Sequence, residues 1–355
     1  MTLPTEPIGS IPRPAYLVEG LGEFAAGRLD AAALAELESR ALADTIRRFE
    51  ETGSPVLTDG EQGKPSFATY PLAGLEALAP DGVVIPFADG HTRQLPRLTA
   101  GPFRYATHAG SYLTRAKTLT DRPVKQAVIA ASALSLIYPA DGIEGYSQEQ
   151  FVADLVNEAE ADIRGSFDAG ADSVQIDFTE GRLSLKLDPS GGLLRQFVEL
   201  NNAVLDRFTA EERAKIGVHT CPGGDQDSAH SLDVDYAGLL PALFDLKAGR
   251  FFVQLASEAD PERALRVIAE HLKADQRVFV GVIDPIDPRV ETAEEVRDRV
   301  LTAAKYLPAE RLGTCDDCGF SPFADDTSTP RETAFAKIKA RVEGTKLAEA
   351  ELSLG

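Results

Sequence analysis

The stretch GVHTCPGGD (residues 217–225) sets a histidine and a cysteine two apart, His219 and Cys221, at the end of a short apolar run. The chain has three cysteines, and the other two stand in CDDC, as Cys315 and Cys318. Residues two apart on a β-strand face the same side, so His219 and Cys221 can point together at one ion. An imidazole with thiolates suits Zn2+, which takes tetrahedral nitrogen and sulfur ligands and keeps an open position where it is catalytic. Taken alone, a His-x-Cys pair reads more readily as core. The second cysteine pair, which ends another candidate strand, changes that balance. Cys315-x-x-Cys318 also reads as a redox pair or as half of a closed structural zinc site. A closed site needs four tightly held ligands, whereas the nearest partners here lie on a different strand. Cys318, just past its strand and before a glycine, is the expected ligand, with Cys315 a small core residue. Glu258, in LASE after another apolar run, is the expected oxygen ligand.

The remaining histidines, His91, His108, His230 and His271, fall in irregular stretches or near a helix end and are expected on the surface. Asp225, Asp227, Asp233 and Asp235 lack the spacing and glycine of a calcium loop, so capping and solvation are expected of them.

These residues need elements to position them, and the elements alternate regularly. Apolar runs of strand length end in TDGE, QIDF, GVHTC, LASE, GVID and CDDC, so nearly every run delivers an acid, a histidine or a cysteine to its carboxyl end. Between them lie helical patterns such as AALAELESRALADTIRRFEETG, with apolar positions three and four apart and a closing glycine. Counting the segment that leads into IGSIPRP, eight strands alternate with helices, and a charged helix begins near Thr329. The expectation is an α/β fold, a (β/α)8 barrel of the TIM type, as one domain over residues 1–355. No Gly-rich dinucleotide fingerprint follows an early strand, which disfavours an open doubly wound sheet. After the second strand an irregular segment, about 65–122, contains VVIPFADGHTRQLPRL, which reads as a hairpin across Asp89-Gly90.

A length of 355 residues with 43% hydrophobic residues allows one barrel-sized domain. A net charge of −20 argues against nucleic acid or anionic lipid as partner. The longest apolar stretch, AVIAASALSLIYPA, has 14 residues, short of the roughly 20 that a membrane helix needs. No signal-peptide pattern opens the chain, so a cytoplasmic protein is expected.

With HTC, DCG and IGS in hand, the chain resembles the catalytic domain of cobalamin-independent methionine synthase, from IGSIPRP at Ile8 through DDCGFSPF. The resemblance implies a barrel whose zinc is held by His219, Cys221, Cys318 and a glutamate that aligns near Glu258. It also implies that Ser10, Glu61 and Asp177 hold homocysteine, the two carboxylates on its ammonium group. The family's I-D-E-P-A reads IDFTEG here, its histidine after the seventh strand is replaced within GVIDPIDP, and no tryptophan is present to stack on a pterin. These departures do not match a methyltetrahydrofolate donor, so the resemblance leaves the donor unnamed. A related enzyme, epoxyalkane:coenzyme M transferase (2-hydroxypropyl-CoM lyase), uses the same zinc chemistry on a sulfonated thiol and needs cations, for which Arg13 and Lys64 are the candidates.

The expected chemistry is thiol alkylation: a small thiol, homocysteine or coenzyme M, attacks a methyl group or an epoxide carbon of an alkyl donor. A proton for the leaving atom is then expected from Asp284, Asp287 or Glu180. A zinc-binding barrel without catalysis is the third reading.

Overall fold

Six parallel strands carry the architecture in the computed structural model, which describes residues 2–353. They are β1 (Lys125–Ile129), β2 (Ser173–Asp177), β3 (Ile216–Thr220), β4 (Arg250–Val253), β5 (Arg277–Ile283) and β6 (Leu312–Asp316). They lie side by side in chain order, and apart from the half-buried Arg250 and Arg277 that open β4 and β5 every residue in them is buried. Strands covered on both faces need apolar side chains throughout, which is why the runs read as continuous and not alternating.

The barrel is completed by two segments that do not form ladders. Thr5 bridges Thr314 of β6 in parallel, and Leu57 bridges Val124 next to β1. The two segments meet where the Ile11 N–H donates to Gly60 O at 3.1 Å and the Thr58 hydroxyl donates to Gly9 O at 2.8 Å. Eight positions thus close a ring, but the first two expected strands are reduced to single bridges. Their sequences explain this: Pro4, Pro7, Pro12, Pro14 and Pro55 lack the N–H that a ladder requires.

The helices follow their sequence signals closely. Asp30 caps Ala31–Glu51 by accepting from the Ala33 N–H at 2.8 Å, and Ser147 with Gln150 forms a capping box on Gln148–Asp168. The irregular segment is shorter than expected, because Gly110–Lys117 is a helix of the barrel wall that packs on Gln148–Asp168 and Ala31–Glu51. Val84–Pro86 and Thr92–Gln94 pair antiparallel across the turn containing Gly90, as the DG dipeptide foretold. Among the described residues no helix is long and apolar enough to cross a membrane.

The expected charged helix near Thr329 is Arg331–Glu351, and two of its charges are buried against the barrel. Its Lys337 is buried with Glu291 at 2.9 Å, and its Arg341 is buried against Asp316. Breaking either pair would leave a buried charge alone, so these contacts hold the helix in register against the barrel.

Candidate metal centre and the cavity above it

β3 delivers His219 within the strand and Cys221 one residue beyond it. The register sets Asp177 of β2 and Phe252 of β4 on either side of His219, so Asp177 and His219 share the inner face. Cys318 arrives from the loop after β6. There Asp317 anchors the neighbouring strand end: its carboxylate accepts from the backbone N–H groups of Leu255, Ala256 and Ser257 at 2.8–2.9 Å and from the Ser257 hydroxyl at 2.7 Å. Burial pushes this carboxyl up to about 6 despite four donors. Gly319 is required by close approach, since a Cβ there would lie 2.1 Å from the Ser10 hydroxyl.

His219, Cys221 and Cys318 offer donor atoms that all lie within 4.8 Å of one another. The two sulfurs are 3.2 Å apart without a disulfide. Both ring nitrogens of His219 are buried without a hydrogen-bond partner, a costly arrangement unless something else binds them. The Cys221 contact and burial hold the Cys318 thiol well above its ordinary value, because two adjacent thiolates need a cation between them. One nitrogen and two sulfurs converging on orphaned imidazole atoms fit zinc.

A cavity of about 680 Å³ opens from this group and is lined at its deep end by Ser10, Glu61, Asp177, His219 and Cys318. Glu61 has φ +57°, an unusual left-handed conformation for a non-glycine residue that aims its carboxylate inward. Its Oε1 accepts from Lys64 Nζ at 3.0 Å, and both side chains are buried. Burial pushes the carboxyls of Glu61 and Asp177 up; Lys64 opposes the rise at Glu61 and His219 opposes it at Asp177. Lys64 thus contacts Glu61, while Asp177 Oδ1 accepts only from Gln175 at 2.8 Å, so the two carboxylates on this wall share a single cation in direct contact with one of them.

Other candidates stand elsewhere. Glu258, expected as the oxygen ligand, is outside the three-residue group and is bound by Arg182 at 2.8 Å. Gln254, one residue beyond β4 as Cys221 is one beyond β3, is fully buried and also accepts from Arg182, at 3.3 Å. Arg13 spends its guanidinium on the carbonyls of Glu61, Lys64 and Ser321 at 2.5–3.0 Å, clamping two loops. Lys64 also donates to Ala127 O at 2.9 Å, and neither cation lies on the cavity wall. Asp284 and Asp287 accept from backbone N–H groups two residues on, at 3.0 and 2.9 Å, as turn formers off the main cavity.

Glu180 is buried behind the wall, with Oε1 on the Ser132 hydroxyl, which accepts from Asn201 at 2.6 Å. Burial pushes its carboxyl up to about 8 from an ordinary 4.5. The folded state therefore keeps a proton that the unfolded state loses, and stability falls as pH rises between those values. Glu180→Gln should flatten that slope by about 1.4 kcal/mol per pH unit, read from urea unfolding at pH 5 to 8. An unchanged slope would mean that Glu180 is ionised in the fold.

Two histidines correct the expectation of surface sites. His230 is buried on the cavity wall with Nδ1 at 2.5 Å from the Ser231 hydroxyl, and Gly223 makes room for it, since a Cβ there would lie 1.8 Å from Nε2. The loop holding His230 has no periodicity, so only the Gly-Gly turn after the strand hinted at this approach. His91 stacks on Phe87 with centroids 4.3 Å apart and contacts Asp225 at 3.0 Å. Asp225 also takes Arg93, which reaches Asp325 as well, so the hairpin is tied to the loops that follow both metal-ligand strands. Arg93→Ala should accelerate amide exchange in residues 84–94 by roughly 10- to 100-fold, equivalent to about 1.5–3 kcal/mol of lost charge-assisted bonds. Exchange at the wild-type rate in hydrogen–deuterium mass spectrometry would show that other contacts hold the hairpin.

Comparison with known proteins agrees with this geometry. The sequence profile described as "Cobalamin-independent synthase, Catalytic domain" matches residues 3–346. The methionine synthase of Saccharolobus islandicus (strain Y.G.57.14) is 24% identical over 351 residues, 99% of this chain and 96% of the relative. That of Sulfurisphaera tokodaii is 25% identical over 360 residues, covering 99% and 94%. The fold matches that of a B12-independent methionine synthase from Shewanella sp. W3-18-1, solved with selenomethionine, at a TM-score of 0.78, 20% identity and full coverage of both chains. With a barrel rim carrying a His-Cys-Cys group and a profile spanning nearly the whole sequence, the chain belongs to the family of cobalamin-independent methionine synthase catalytic domains.

Proposed function

We propose that this enzyme methylates the thiol of homocysteine at a zinc ion held by His219, Cys221 and Cys318. The observation that carries the reading is the convergence of these three donors within 4.8 Å at the floor of a cavity that Glu61 and Asp177 also line. Zinc bound there supplies thiol activation, bringing a group with an ordinary pKa of about 8.5 into its thiolate form at neutral pH. The chain's own residues do the positioning. Glu61 and Asp177 take the ammonium group of the amino acid, Lys64 holds Glu61 in place, and the Ser10 hydroxyl sits beside them on the wall. The hairpin contributes Ile85 and Phe87, with Leu95 just beyond it, to the apolar part of the cavity wall.

The Shewanella relative was solved with selenomethionine, the selenium analogue of the product this reading assigns. Coenzyme M fits less well: Arg13 and Lys64 are spent on internal partners, so neither is free to receive a sulfonate. The test is zinc K-edge X-ray absorption before and after homocysteine, with coenzyme M in parallel. A sulfur gained with homocysteine alone is expected. A zinc shell that changes with neither thiol, or a protein without zinc, would refute the reading.

A further inference from the structure

The chain leaves the metal centre through a second, smaller hairpin. Beyond Cys221, Gly224–Asp225 pairs antiparallel with Ser228–Ala229. The two residues between them, Gln226 and Asp227, have φ of +48° and +56°, the left-handed pair that a type I′ turn requires. The turn folds His230 back onto Gly223. The His230 N–H donates to Gly223 O at 3.1 Å, while the Gly223 N–H donates to Cys221 Sγ at 3.3 Å. His230 is thereby tied to the backbone that carries a metal ligand, and Phe87 of the outer hairpin packs against its ring with centroids 5.5 Å apart and planes at 69°.

The two ring nitrogens of His230 have different surroundings. Nδ1 lies 2.5 Å from the Ser231 hydroxyl. That hydroxyl is fully buried and has no other partner among the described residues. Its proton therefore has one acceptor to go to, and Nδ1 must be bare to receive it. Burial, then Lys186 and Arg182, lower the imidazole to about 4, so at pH 7 the ring keeps one proton, and that proton is on Nε2. Nε2 has no partner among the described residues and meets the cavity across the bare Cα of Gly223. The other side-chain N–H donors of the outer wall are engaged: Arg93 by Asp225 and Asp325, and Gln94 by Gly82 O at 3.1 Å. Around them the wall is apolar, built from Val18, Leu21, Phe67, Ile85, Phe87 and Leu95.

We propose that His230 presents a fixed Nε2–H to the outer cavity and binds there a hydrogen-bond acceptor, a carbonyl oxygen or an unprotonated ring nitrogen, on an otherwise apolar methyl donor. The inference rests on the methyl-acceptor reading above. One polar group on an apolar wall sets the orientation of a ligand more than its affinity. It also selects: a ligand that brought its own N–H to this point would leave two donors facing each other, both desolvated and neither satisfied. Ser231 is the positioning residue, since its hydroxyl decides which nitrogen carries the proton.

The test uses zinc-loaded protein with 15N-labelled histidine. Long-range proton–nitrogen correlation spectra at pH 7, with the His230 signals assigned by their loss in His230→Gln, should show a protonated Nε2 and a bare Nδ1 in a single tautomer. Ser231→Ala should mix the tautomers. A bare Nε2, or an imidazolium, overturns the proposal. Recognition is read by titration with 1-indanone, a bicyclic acceptor, and with indole, a bicyclic donor of similar size. 1-Indanone should bind about tenfold or more tightly and move the Nε2 proton downfield. His230→Gln, whose amide N–H reaches the same place, should keep that preference, and His230→Leu should lose it. Indole binding as tightly as 1-indanone, or a preference that survives His230→Leu, overturns the role of His230 whatever homocysteine does to the zinc spectrum. Acceptor selectivity in a protein whose zinc ignores homocysteine would refute the methyl-acceptor reading and leave the Nε2–H contact standing.

Discussion

Cys318→Ser, and equally Cys221→Ser or His219→Ala, should reduce zinc affinity by more than about 100-fold, the upper end of what losing a residue behind the ligands costs. The purified variants should then carry little zinc by mass spectrometry after dialysis against a mild chelator. The reason is geometric: with donors within 4.8 Å of one another and both His219 nitrogens otherwise unpartnered, each residue supplies a large share of the coordination. Cys315→Ser is the control that makes the result specific. Its sulfur is buried beside Ile8, Phe252 and Phe279 and donates to Phe279 O at 3.4 Å, away from the group. Zinc should survive that change. A Cys318→Ser protein with full zinc would sink the metal centre, and a Cys315→Ser protein without it would shift the site to the other end of CDDC.

Asp177→Asn and Glu61→Gln should each weaken homocysteine binding by roughly 10- to 100-fold, the loss of a charge-assisted hydrogen bond worth about 1.5–3 kcal/mol. The same variants should bind 4-mercaptobutyrate, which lacks the ammonium group, as the wild type does. That comparison separates recognition from collapse. It matters most for Glu61→Gln, because Lys64 would be left buried without its carboxylate, a situation that destabilises folds on its own account. Asp177 has no such partner, its Oδ1 accepting only from Gln175 at 2.8 Å, so Asp177→Asn is the cleaner variant. Equal weakening of both thiols would refute the ammonium assignment.

What could be read from the residues was what depends on short range. The alternation of strand-length apolar runs with 3.6-period helices is local, and so the barrel, its helix caps and the Asp89-Gly90 hairpin were legible. The side shared by His219 and Cys221 follows from strand periodicity alone. The proline-rich first and second segments carried their own warning, since missing N–H groups are visible in the sequence, yet whether such a segment still occupies a barrel position depends on its neighbours.

Tertiary structure decided everything set by which loops meet at the rim. Nothing within LASE says that Glu258 will find Arg182, seventy-six positions earlier in the chain, and nothing in the polar loop of His230 says that it will turn into the cavity. Arg13 and Lys64 look in sequence like free cations for an anionic substrate, and only the fold commits them to carbonyls and to Glu61. Long polar side chains reach several ångströms and take the partners that the packed loops bring within that reach. The residue types and strand ends are therefore written locally, while the charge that a substrate meets is a property of the assembled rim.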